Sequence, residues 1–158
     1  MSRFKIVLVS LLVFALAITL ASYYENSYRI LVRFFFKLFQ GDKIKFIGKN
    51  FHLFASPYLV IAFGLFAVIL TRSLYGQSNR RRPVYLFSTV ILFFITTIAT
   101  TYIDSTGYVV ECTACQDGVR NVHYNDINYD FHFITSLVVG LLPLFWTFLH
   151  KQISKRRQ

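Results

Sequence analysis

The sequence predicts an all-α, polytopic membrane protein. Three observations predict it: four uncharged apolar runs of membrane-spanning length, a low charged fraction, and basic residues gathered on one side of those runs. Of 158 residues, 55% are apolar, only 15% are charged, and mean hydropathy is +0.50. Soluble domains carry about 25% charged residues. No mixed, charged stretch is long enough for a soluble catalytic domain, which needs about 100 residues. The chain is therefore read as a single membrane domain, 1–158.

The runs are 6–24, 51–70, 83–103 and 131–149. About 20 apolar residues cross the hydrocarbon as a helix, and without water each run must satisfy its own backbone, which a helix does. The first run follows Arg3 and Lys5 and ends on Tyr23 and Tyr24, an interfacial aromatic pair. Its basic start and the small residues Ala15, Ala17 and Ala21 also fit a secretory signal. The apolar run is longer than a usual signal core, which favours a retained span.

The segment 25–50 carries six bases and two acids. Arg29, Arg33 and Lys37 recur every four residues, and Tyr28, Val32, Phe35, Phe36 and Phe39 recur at helical spacing opposite them. This pattern predicts an amphipathic helix over 28–39 in the membrane interface, with its basic stripe on headgroups, water or a partner. Residues 41–50 then read as a polar return, with Gly48 in a turn. Pro57 and Pro143 fall inside the second and fourth runs and predict kinks. Pro83 suits the first turn of the third run, where a missing N–H is harmless.

Orientation follows from charge. If both termini share a side, that side holds ten bases and no acid: Arg3, Lys5, Arg72, Arg80, Arg81, Arg82 and four in the tail. Basic short loops stay cytoplasmic, so both termini and the 71–82 loop are expected in the cytoplasm of a cell inner membrane. The net charge of +10 is then a topology signal, and no nucleic-acid partner is expected. Arg80, Arg81 and Arg82 stop transfer, and also offer a dock for anionic lipid or an acidic protein. Segment 104–130 holds five acids and one base and predicts a capping loop, with a short strand at 108–110.

Chemistry-bearing residues are few. Cys112 and Cys115 form a C-x-x-C in the outward loop. Three readings fit that spacing: a structural disulfide on an oxidising side, a thiol–disulfide exchange site, or, with His123 and His132, four ligands for tetrahedral zinc. Glu111, Asp117, Asp126 and Asp130 stand close by in sequence as a solvated acidic loop. His52, His132 and His150 sit near span ends as polar anchors. Thr96, Thr97, Thr100 and Thr101, with Ser88 and Thr89, favour close helix contact in span three. No Asp, Glu, Lys or Arg falls inside a run, which argues against a proton relay or coupled transporter. Nucleotide loops and hydrolase motifs are absent from the sequence, and no cofactor is expected.

Span count, topology and charge, with the basic ending 151–158, resemble two groups of small bacterial membrane proteins. They are the immunity proteins against pore-forming colicins and the four-span membrane subunit of the Kiwa anti-phage system. The resemblance implies a non-enzymatic protein that binds, senses or blocks; with no charged site inside its spans it is expected to act as a homo-oligomer, with a protein partner, or both, and among membrane lipids. The C-x-x-C in a four-span layout is also similar to the quinone-coupled disulfide oxidoreductases, whose relay uses two cysteine pairs where this chain has one. An accessory subunit of a larger complex, or an oligomeric pore, is the remaining class.

Overall fold

The structure, a computed structural model, describes residues 3–48, 56–75, 77–78, 80–110 and 119–146. Four helices are long and apolar enough to cross a membrane. They are α1 (Arg3–Gln40), α2 (Pro57–Tyr75), α3 (Arg82–Val110) and α4, whose regular part is Tyr129–Gly140. They alternate in direction. The described parts of the expected runs at 6–24, 51–70, 83–103 and 131–149 all fall on these helices, save Ser56 just ahead of α2 and Leu141 at the α4 turn.

The main difference from expectation lies in α1. Its 38 residues rise about 57 Å, roughly twice the hydrocarbon thickness. The segment 28–39 is helical with Phe36 inward, as its periodicity predicts, but it continues span one without a break. The physical reason is that no Gly or Pro occurs between Arg3 and Gln40 to end the helix. The chain turns only at Gly41, whose φ of +55° suits glycine.

Residues 25–40 of α1 and the end of α3 thus form a head at the bundle end opposite the α1 N-terminus. A 3₁₀ turn (Gly41–Lys43) leads into β1 (Ile44–Ile47), which pairs in parallel with β2 (Arg120–His123), Ile44 opposite Arg120 and Ile47 opposite His123. The polar return expected at 41–50 is corrected to this turn and strand, and the strand expected at 108–110 is corrected to the last turn of α3. Parallel pairing requires a long crossover, and here α2 and α3 supply it. A strand pair with no local hairpin leaves no turn signature in the sequence.

Proline behaves differently at its two inner positions. Pro57 does not kink a helix; it is the first residue of α2, where its missing N–H costs nothing. At Pro143 the expected irregularity is present. Regular α4 ends at Gly140, Leu141 is a turn, and helix resumes over 142–146. The Pro143 ring crowds the carbonyl four residues back and brings no N–H to it.

The core runs through the head into the upper bundle: Tyr28, Val32, Phe36, Ile44, Leu59, Val122, Ile127, Tyr129, Phe133 and Leu137. Below it the helices meet through small residues. A Cβ on Gly64 of α2 would lie 2.6 Å from the Phe14 ring of α1, and one on Gly140 of α4 would lie 3.3 Å from the Thr89 carbonyl oxygen of α3. The broad apolar faces left outside, such as Leu8, Leu12, Leu16 and Leu20 on α1, suit lipid contact.

Candidate functional site at the head of the bundle

Polar side chains are concentrated where the head meets the membrane layer, in two buried clusters. In the first, Arg29 donates to Glu25 Oε1 from Nε at 2.8 Å and from Nη2 at 2.6 Å, one helical turn apart on α1. Glu25 Oε2 accepts the Ser56 backbone N–H at 2.8 Å. The Ser56 hydroxyl donates to Asp130 Oδ2 at 2.8 Å. Glu25 is 5% exposed and Arg29 8%. The Arg29 guanidinium also lies 4.6 Å from the Tyr129 ring centroid, and that of Arg33 lies 5.0 Å from Tyr124. One acid on α1 therefore fixes the start of α2, and through Ser56 the start of α4.

The second cluster joins α3 to α4. His132 is fully buried, and its Nε2 stands 2.9 Å from Asp104 Oδ2. Its ring packs edge-on to Phe36. The Ser136 hydroxyl, one turn below, donates to the His132 carbonyl at 2.7 Å and lies 2.9 Å from Thr97 Oγ1. Thr101 Oγ1 donates to the Thr97 carbonyl. Gln40, at the end of α1, donates to Ser105 and Thr106 on α3. Within this region Tyr28 Oη, His132 Nδ1 and Asp130 Oδ1 are buried without a hydrogen-bond partner among the described residues.

These placements revise several expectations. Arg29 and Arg33 do not form an exposed stripe with Lys37; each is 8% exposed, while Lys37 is exposed. The reason is that Tyr124, in the turn after β2, and Tyr129, at the start of α4, lie over the two guanidinium groups, which periodicity within α1 does not reveal. Of the four threonines, Thr97 and Thr101 are fully buried, Thr97 against α4. Thr96 and Thr100 are half-buried, and the Thr100 hydroxyl returns to carbonyls of its own helix. Arg82 is bound up locally: it donates to the carbonyls of Leu74, Tyr75 and Gln77 at the end of α2, satisfying backbone groups that a helix C-terminus leaves open. Arg80 and Arg81 are exposed.

The disulfide expected between Cys112 and Cys115 is withdrawn: nothing among the described residues supports a bridge, and neither cysteine belongs to them. Disulfide geometry is narrow, and a bridge across so short a ring adds little chain-entropy stabilisation, so C-x-x-C spacing does not impose one. Both cysteines, with His52, His150 and residues 151–158, lie outside the described residues. Of the zinc set Cys112, Cys115, His123 and His132, the two histidines are described: His123 is exposed at the end of β2, and His132 is buried against Asp104. Among the described residues no group of three or more His, Cys, Asp and Glu is placed to hold a metal.

The head also presents a recess of about 560 Å³ between α1 and the strand pair. Lys37, Lys45, Asp42, Phe46 and Tyr124 line it. Phe46 and Tyr124 stack at 5.6 Å with an interplanar angle of 19°. Two exposed lysines beside two stacked rings present positive charge next to an apolar floor. Sequence reasoning missed this recess because β1 and the turn after β2 meet only through non-local pairing.

No family model matches the chain, and comparison with characterised proteins and with solved structures finds no match.

Proposed function

We propose that this integral membrane protein acts by binding a protein partner through its head, in the manner of immunity or anti-phage-defence proteins, and not by covalent chemistry. The observation that carries this reading is the recess of Lys37, Lys45, Phe46 and Tyr124, held on a body whose charged groups at the membrane boundary are tied together by Glu25, Arg29, Ser56 and Asp130. A rigid, basic and aromatic concave surface suits an acidic partner with an apolar anchor. Aromatic anchors supply contact area, and clustered charge speeds encounter. A homo-oligomer formed through the lipid-facing helix surfaces fits the same reading.

The test is protection. Bacterial cells expressing the chain are challenged with pore-forming bacteriocins and with phage. Protection against one class is expected, and Lys37→Glu with Lys45→Glu is expected to abolish it at unchanged membrane abundance. Protection that survives the double charge reversal refutes the recess as the binding face; no protection against any challenge refutes the class.

The same reading puts both termini in the cytoplasm and the head outside, because the start of α1 and the loop joining α2 to α3, basic and free of acids, lie opposite the head, and the tail 151–158 has the same composition. With Cys112 and Cys115 replaced by Ser, single cysteines at the exposed positions Ser78 and Asn125 check it. An impermeant thiol reagent applied to whole cells permeable only at the outer membrane is expected to label Asn125→Cys and spare Ser78→Cys. The reverse pattern inverts the topology.

A further inference from the structure

We infer that the cleft between the lower halves of α1 and α2 is a binding site for one anionic phospholipid, its chain lying in the cleft and its phosphate on Arg72. The cleft has a volume of about 400 Å³, within the range of about 300–1,000 Å³ typical of small-ligand sites. Its walls are largely apolar, Ile6, Val9 and Val13 from α1 and Val68 from α2, with Thr71 beside Arg72 in the lining. Ser10, also on the wall, directs its hydroxyl to the Ile6 carbonyl at 2.9 Å, so the wall makes no polar demand on an occupant there.

The cleft opens within spans that cross the membrane, so water does not fill it. A hydrocarbon chain does. The polar end of the cleft is formed by Arg72 and Tyr75, both exposed, in the last turn of α2. Tyrosine at that height is a usual interfacial anchor. Charge decides the headgroup. No Asp or Glu occurs in 1–24, 43–103 or 131–158, so neither the spans at this end nor the loop joining α2 to α3 supplies a carboxylate. Arg80 and Arg81 are exposed on that same loop and add to the positive potential. Arg82 is held elsewhere, its Nε and Nη2 bonded to the carbonyls of Leu74, Tyr75 and Gln77, and it does not line the cleft. The described residues of these segments thus offer Arg72 no carboxylate, which leaves its guanidinium available to an anion from outside the chain. A lipid phosphate at the headgroup level is an anion already present at that height, and arginine pairs with phosphate through charged hydrogen bonds.

This site is separate from the head recess and does not depend on it. The test uses the full chain purified in detergent, given equimolar dioleoyl phosphatidylglycerol and dioleoyl phosphatidylcholine, and native mass spectrometry. The wild type is expected to retain one phosphatidylglycerol under activation that strips phosphatidylcholine. Arg72→Gln is expected to bind phosphatidylglycerol about tenfold more weakly, the loss of one charged hydrogen bond, and Arg72→Lys to recover most of it. Val68→Trp fills the cleft and is expected to reduce retention of both lipids, while circular dichroism reports an intact helical fold. Equal retention of the two lipids, unchanged retention in Arg72→Gln, or a cross-link across the cleft to a second copy or another membrane protein would each overturn the assignment.

Discussion

Replacement of Phe36 by Ala is expected to lower stability by about 3–5 kcal/mol, the usual cost of emptying a large aromatic site in a packed core. Phe36 has no exposed surface, and its ring meets Phe46 on β1, Tyr108 on α3 and His132 on α4. A single side chain on α1 thus holds the strand pair and two other helices. Its removal is expected to act first on the head. Thermal unfolding in detergent measures the total loss. Hydrogen exchange is expected to rise in β1 and β2 well before it rises in the middle of α2. Uniform loss of protection in α2 and the strands together would show that head and membrane layer unfold as one unit, contrary to this picture.

Arg29→Leu is the second large effect, about 3–5 kcal/mol, because it leaves a buried carboxylate without its cation. The Ser56 N–H still reaches Glu25 Oε2, but it does not replace two charged bonds to Oε1. Adding Glu25→Gln is expected to recover much of the loss, since the double variant buries no unpaired charge. That rescue, read in the same unfolding assay, separates a charge-burial cost from loss of arginine packing on Tyr129. A double variant no more stable than Arg29→Leu alone would assign the effect to packing.

Both variants act at positions whose importance is only half visible in the sequence. The three-to-four-residue recurrence that brings Tyr28, Val32, Phe35, Phe36 and Phe39 to one side of a helix is legible, and Phe36 is indeed inside. The arginine stripe is equally legible as a pattern, yet its meaning was misread. A periodic charge stripe looks solvated when its helix is considered alone. Here the turn after β2 and the start of α4 fold over that stripe, and Tyr124 and Tyr129 receive the guanidinium groups of Arg33 and Arg29. Glu25 and Arg29 stand four residues apart, a pairing the sequence carries, but the role of Glu25 at the start of α2 leaves no local signal, because Ser56 stands 31 residues away.

The sequence by itself determined the membrane layer: that four apolar runs span it, that they are helices, and at which end of them the acid-free basic segments stand. Those follow from local physics, since hydrocarbon forces each apolar run to close its own hydrogen bonds, and runs of that length leave little choice. Only the tertiary structure decided the head. That β1 and β2 pair in parallel across two intervening helices, that Tyr124 and Tyr129 cover the arginines of α1, and that Asp104 meets His132 all depend on contacts distant in the chain. Such contacts leave no period and no turn motif, because their energy comes from surfaces that exist only once the helices have packed.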